Sequence, residues 1–214
     1  MAFFSIPGST GSKISSPKPP PQGTTAKTSA GLLKGVDMKA LMAGSILEKK
    51  NLQCLYRASR DGWTSSDFHS KCDVGLPSLV IGKVKGSSGD RLVGGYNPWG
   101  WSSVDDYRNT LKAYLFCVED GGKDVFRCPK IGSDGAVHDF RAYGPNFGVE
   151  SLTINLNKSK GPLKQVSSVL GTEYATFGGG RATGIAARRG NTSGRGGSLL
   201  GDTTAGELEE LELW

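Results

Sequence analysis

The sequence predicts a mainly β protein with short helices (α+β), folded as a two-sheet antiparallel β-sandwich. Three observations predict it. Short strand-like runs recur between turn signals, over Leu52 to Ala58, Leu79 to Val84, Arg91 to Tyr96, Leu111 to Glu119, Asp124 to Cys128, His138 to Tyr143 and Ser151 to Asn157. The connections are hairpin-sized: GSSGD joins SLVIGKV to RLVGGY, and EDGGKD joins AYLFCVE to VFRC, placing glycines where a positive φ is needed. Several runs alternate with period two; in SLTINLN, Leu152, Ile154 and Leu156 point one way and Thr153 and Asn155 the other. Strands this short and this regularly punctuated argue against a parallel α/β sheet.

Taken in order, residues 1–31 form a Pro/Ser/Lys-rich tail, because Pro17, Pro19, Pro20 and Pro21 remove backbone donors and favour polyproline II. Residues 32–50 are a short helical lead-in: Leu33, Val36, Ala40, Leu41, Met42, Ile46 and Leu47 recur near helical spacing, interrupted by Gly35 and Gly44. The sandwich itself spans 51–214. Its first strand hands over at Asp61-Gly62 to a short helix capped by Thr64 or Ser65, with Trp63 and Phe68 as wedges against the sheet. From about 158 to 206 the pattern weakens into a Gly/Arg-rich insertion, in which TEYATF is a candidate strand. The closing ELEELELW is again strand-like, with Leu211 and Leu213 on one face and Glu210, Glu212 and Trp214 on the other.

Composition narrows the function classes. The chain has 214 residues and 32 glycines, roughly twice the usual share of about 7%, so loops and turns dominate. Its formal charge is +6, and the distribution is uneven. Lys13, Lys18, Lys27 and Lys34 stand in an acid-free N-terminal stretch, and Arg181, Arg188, Arg189 and Arg195 lie in the glycine-rich segment. These eight side chains are the candidate partner-binding residues, suited to a protein with an acidic surface. Arginines spaced by glycine also resemble nucleic-acid-binding stretches, but no aromatic is interleaved to stack on bases, and nucleic acid is not the expected partner. Cys54, Cys72, Cys117 and Cys128 include no C-x-x-C pair and read as free thiols of a reducing, cytoplasmic compartment. No apolar run reaches the roughly 20 residues of a membrane span, and the N-terminus lacks a secretory pattern, although its acid-free, Ser- and Thr-bearing start also fits an organelle import signal.

The chemistry-bearing residues are sparse. His69 and Cys72 stand at i,i+3, the spacing that could begin a metal site, yet no second pair lies at ligand spacing, so they read as surface or packing residues of the short helix. A cysteine nucleophile would need His69 or His138, and no local signature supports one; Cys54 and Cys117, at alternating strand positions, read as core. Asp105-Asp106 and Glu119-Asp120 read as solvated or capping acids. GSSGDR and GGGRATG lack the order of a phosphate-binding loop. The expectation is no catalytic residue, no cofactor and no metal.

With those residues in hand, the chain resembles the TLDc domain family of the oxidation-resistance proteins. LYRASRDGWTSSDFHSKCD is similar to that family's opening strand, turn and short helix; SLVIGKV with RLVGGY resembles its next hairpin; AYLFCVE resembles its buried strand. RAYGPNFGVESLTINLN and the closing LEELELW complete an ordered set over about 46–157 and 207–214. The resemblance implies a two-sheet sandwich flanked by short helices, a role in resistance to oxidative stress, binding to the vacuolar-type proton pump, and no enzymatic activity. The chain departs from animal members at Asn97-Pro98-Trp99-Gly100-Trp101 and Asn109-Thr110-Leu111, where those carry acids, so antioxidant chemistry assigned to the acids does not transfer. A second expectation is a structural component of a cytoskeletal, axonemal or ciliary, or organellar assembly, with the basic arms lying on a tubulin-like acidic partner.

Overall fold

The computed structural model describes residues 31–85, 91–177 and 197–214. Along the chain it contains α1 (Met38–Met42), β1 (Tyr56–Arg57), α2 (Ala58–Asp61), α3 (Ser65–Cys72), β2 (Ser78–Val84), β3 (Leu92–Asn97), β4 (Asp106–Arg108) and β5 (Tyr114–Glu119). β6 (Asp124–Pro129), β7 (Val137–Asp139), β8 (Asn146–Phe147), β9 (Thr153–Ile154), β10 (Gln165–Ser167) and β11 (Ala205–Leu213) follow. The strands form two antiparallel sheets. The larger runs β6-β5-β3-β2-β11-β10-β9, with β1 beside β11, and the smaller runs β4-β7-β8.

β11 is central to the larger sheet, pairing β2 along one edge and β10 and β1 along the other. Its leucines do not keep strict alternation, since two glutamates separate Leu208 from Leu211. A bulge between Leu208 and Glu210 absorbs the extra residue, so Leu208, Leu211 and Leu213 all reach the same core. Gly82, opposite Leu211, leaves the room that the Leu208 side chain fills.

Both faces of the larger sheet are buried, which explains why β2, β3 and β5 are apolar almost without interruption. Val80, Val93, Leu115 and Cys117 face the core shared with the smaller sheet, where Trp101, Val137 and Phe147 meet them. Leu79, Ile81, Tyr114, Phe116 and Trp214 face the opposite way, and Leu33, Val36, Leu41, Met42 and Leu47 of the N-terminal segment cover them. The paired glycines of RLVGGY permit the close packing: a Cβ on Gly95 would lie 2.6 Å from the Phe147 ring, and one on Gly94 would lie 2.0 Å from the Val80 carbonyl oxygen.

The N-terminal segment is fastened by polar contacts as well. Glu212, buried on β11, accepts from Arg57 Nε at 2.7 Å, the backbone N–H of Leu32 at 2.9 Å and the Trp214 indole at 2.8 Å. Tyr114 donates its hydroxyl to the Leu41 carbonyl at 2.8 Å, and the Arg127 guanidinium lies 3.6 Å from the Tyr114 ring centroid. Only Met38–Met42 is α-helical here, because Gly35 and Gly44 adopt positive φ and turn the chain at both ends.

Several elements differ in extent from the sequence expectation. The first strand contracts to Tyr56–Arg57, and His138 to Tyr143 gives a strand only through Asp139. β4, β8 and β10 are two or three residues long, too short to leave a periodic trace. Beyond Lys158 the chain still contributes to the core: Val166 pairs with both Ile154 and Gly206, and Tyr174 bridges Lys130. Leu199 and Leu200 are buried. The GSSGD turn lies outside the described residues.

Candidate functional site

The short helix α3 begins where its sequence says it should. Thr64 is the N-cap: its hydroxyl accepts from the Asp67 N–H, and the Asp67 carboxylate accepts from the Thr64 N–H, a complete capping box. Phe68 enters the core edge-on to Tyr56 and Trp101, and Trp63 packs half-buried at the core's margin under Lys164. His69 and Cys72 are both buried, so of the two sequence readings for this pair, surface or packing, packing describes it.

His69 makes more contacts than its neighbours in sequence announce. Its Nε2 donates to the Tyr143 carbonyl at 3.0 Å, while Nδ1 lies 2.8 Å from Asp73 Oδ1 and 3.0 Å from Ser103 Oγ. The Ser103 hydroxyl donates to Asp73 Oδ2 at 2.5 Å. A serine, a histidine and an aspartate are thus in mutual contact at the wall of an open cleft of about 700 Å³. Ser65, Ser66 and Ser70 of α3 line it, together with Asp105 and Arg141.

The connectivity is not that of a catalytic triad. There the hydroxyl sits on one ring nitrogen and the carboxylate on the other, so that the imidazole takes the hydroxyl proton. Here hydroxyl and carboxylate crowd the same nitrogen, and a backbone carbonyl, which can only accept, holds the other. The serine proton points at the carboxylate. The trio clasps α3 to two loops.

One of those loops has an unusual backbone. Ser103 and Asp105 are non-glycine residues with φ of 50° and 56°, in the left-handed region that costs such residues about 1–3 kcal/mol each. Buried Asp139 holds them there: it accepts from the N–H groups of Ser102 and Ser103, takes Arg108 Nη1 at 3.1 Å, and its own carbonyl accepts from the Asp105 N–H. The result turns Val104, Asp105 and Asp106 outward.

The thiols are quiet. Burial pushes the Cys72 and Cys128 thiols well above the usual range and Cys117 up to about 12; burial also raises the half-buried Cys54. Thiolate is the reactive form. Among the described residues, no group of three or more His, Cys, Asp or Glu side chains could hold a metal ion, and no helix is long and apolar enough to cross a membrane.

A family profile for the TLDc domain matches residues 36–188. The chain belongs to the TLDc domain family. No curated protein matches it. The TLDc match begins at Val36, inside the segment that covers the outer face of the larger sheet, so the family domain includes part of that cover.

Of the eight residues singled out for partner binding, Lys34 is exposed on the turn that opens the covering segment. Lys13, Lys18, Lys27, Arg181, Arg188, Arg189 and Arg195 lie outside the described residues. Sequence reasoning missed Ser103, Asp139 and Tyr143 as partners of the His69 cleft. Ser103 and Tyr143 lie 34 and 74 residues from His69 along the chain, and neither carries a local motif.

Proposed function

We propose that this chain is a non-enzymatic TLDc interaction module that docks into a larger assembly, with the vacuolar-type proton pump as the partner class and resistance to oxidative stress as the outcome that the family resemblance suggests. The observation that carries the reading is the closed His69–Asp73–Ser103 clasp. In the one serine–histidine–aspartate contact among the described residues, hydroxyl and carboxylate share one ring nitrogen, a backbone carbonyl takes the other and the serine hydroxyl donates to the carboxylate, while burial raises the neighbouring Cys72 thiol. The test is affinity capture of the full chain from native extract in high salt, beside assays of the pure protein for peroxide and ester turnover. Capture of pump subunits without turnover supports the module; turnover that disappears in Ser103→Ala or Cys72→Ser overturns it.

A second reading has the charge distribution in its favour. The acid-free stretch bearing Lys13, Lys18, Lys27 and Lys34, and the segment bearing Arg181, Arg188, Arg189 and Arg195, fit an acidic surface such as a tubulin-like lattice. Sedimentation with axonemes or filaments that is lost on deleting residues 1–30 or 178–201 distinguishes this structural role from pump binding.

A further inference from the structure

We propose that the face built by Val74, Leu76, Trp99, Val104 and Leu111 is the docking surface of this module, and that its occupant is a basic amphipathic segment of a protein partner. The proposal deepens the interaction-module reading and rests on it. Leu76, Trp99 and Leu111 are 62%, 48% and 64% exposed, and Val74 and Val104 are each 49% exposed. They come from three loops that touch. Gly75 donates its N–H to the Trp101 carbonyl at 3.0 Å, Gly100 lies against the Leu76 backbone, and the Trp99 indole donates to the Asn109 carbonyl at 3.3 Å. The Arg108 guanidinium sits 5.8 Å from the Trp99 ring centroid and is bound to Asp139, which stiffens the tryptophan where it stands. Scattered exposed apolar residues need no explanation, but a group gathered on three touching loops around a fixed tryptophan marks a contact surface.

Charge selects the occupant. In a chain of net charge +6, this face is rimmed by Asp105 and Asp106, beside Val104, and by Asp134, on the loop that bonds Asn109 and Thr110. All three are exposed, and none makes an ion pair with a described cation. The cations of the same loops are Arg108, held by Asp139, and the exposed Lys112; Arg141 adjoins the rim, its backbone N–H donating to Asp105 Oδ1 at 2.9 Å, and Asp106 and Asp134 carry the rest of the acidic edge. Carboxylates around an apolar centre attract lysine and arginine flanking apolar side chains. They also repel an anionic lipid surface, which favours a peptide over a membrane for the exposed tryptophan and leucines. The left-handed backbone at Ser103 and Asp105, anchored by buried Asp139, presents Val104 and the two aspartates in a fixed pose.

The test uses the full chain and a synthetic amphipathic Leu/Lys peptide of about 18 residues, or five helical turns, with a Leu/Glu peptide of the same pattern as its counterpart, followed by fluorescence anisotropy. The expected result is binding of the Leu/Lys peptide that weakens about tenfold or more in Leu76→Ser/Trp99→Ser, weakens in Asp105→Asn/Asp106→Asn and with added salt, and is unchanged in Ile46→Ser, an exposed apolar control outside this face. Asparagine tolerates the left-handed conformation at 105, and the substituted side chains are solvent-facing, so thermal unfolding verifies that each variant is folded. Equal binding of the Leu/Glu peptide, or no loss in the double variants, overturns the surface. So does concentration-dependent dimerisation that Trp99→Ser abolishes, which gives the face to a second copy, or flotation with phosphatidylserine vesicles that the same variant abolishes, which gives it to a membrane. In the native-extract capture, a partner retained equally by Leu76→Ser/Trp99→Ser removes this surface and leaves the module standing, whereas no partner captured by the wild-type chain removes the module.

Discussion

Gly95 sits in the middle of β3, paired with Val80 on one side and Leu115 on the other, and it faces the one aromatic ring that the smaller sheet drives into the larger one. A Cβ placed there would approach three carbons of the Phe147 ring at 2.6, 2.7 and 2.9 Å. Comfortable carbon–carbon separations are about 3.5–4.0 Å, so Gly95→Ala forces the ring to move by about 1 Å. Phe147 is fully buried, and Trp101 stands edge-on behind it at 5.9 Å, which leaves nowhere to move at low cost. Overpacking of this kind costs about 1–3 kcal/mol, and for a domain of this size each kcal/mol lowers Tm by about 2–4 °C. Phe147→Leu alone leaves a partial cavity and costs less than the about 3–5 kcal/mol of a full truncation to alanine. Together the two changes relieve each other, because the space the ring vacates is where the new methyl sits. Urea unfolding of the four proteins should therefore give a double variant about 1 kcal/mol more stable than the sum of the singles. Gly94→Ala is the internal control: its Cβ meets the Val80 carbonyl oxygen at 2.0 Å, a backbone clash that no change at Phe147 relieves. Additivity within about 0.5 kcal/mol for the Gly95 pair would refute the argument that this glycine exists for that ring.

The other expectations concern the latch, the cap, a histidine and the thiols. Glu212→Gln keeps the shape but removes the charge that Arg57 and two N–H donors share, and should cost about 1–3 kcal/mol while speeding proteolytic cleavage between residues 31 and 50; a protease pattern identical to wild type would contradict the latch. Thr64→Ala should cost about 1 kcal/mol, recovered largely by Thr64→Ser, as read by thermal unfolding. Burial holds the His138 pKa below its ordinary 6.5, so the unfolded chain binds that proton more tightly; stability is fully present above about pH 6.5 and is lost as pH falls through the folded value. Denaturant midpoints from about pH 7.5 down to about pH 5 should therefore fall less steeply in His138→Phe than in wild type. In the native protein a thiol reagent should modify Cys54 well before Cys72, Cys117 and Cys128, which mass spectrometry of the labelled peptides reads directly; equal labelling would mean the core opens.

Legibility in the sequence followed the length scale of the interaction. Elements whose logic is local were readable: a cap for α3 at Thr64 or Ser65, of which Thr64 is the one used, the division of the closing ELEELELW into Leu211 and Leu213 against Glu212 and Trp214, and the alternation that sends Leu152, Ile154 and Leu156 into the core. The motifs quoted for the family resemblance are of this kind. β4, β8 and β10 were not readable, because two or three residues cannot display a period and their pairing is set by distant strands. The cleft failed for the same reason at the level of side chains. His69 carries an i,i+4 contact to Asp73 that a helix makes visible, but Ser103 and Tyr143 join it only through the packing of α3 against the loops of the smaller sheet.

The same packing explains why stability and surface are coupled at this end of the molecule. Asp139 is fully buried and its carboxylate holds three donors, two of them the backbone N–H groups of Ser102 and Ser103. An aspartate placed in a core is unfavourable unless its partners are supplied, and here the loop that supplies them must adopt a strained left-handed path to do so. The strain at Ser103 and the buried charge at Asp139 therefore stabilise each other: removing either leaves the other uncompensated. What emerges from the pair is the outward pose of Val104, Asp105 and Asp106. Asp139→Asn retains the acceptor for the loop N–H groups while removing the charge that holds Arg108 beside Trp99. It should loosen the tryptophan before it unfolds the domain, so peptide binding falls at a temperature where circular dichroism still reports the native sheet. If binding and sheet content are lost together, the loop is only a strut of the fold, and its display of Val104 has no separate role.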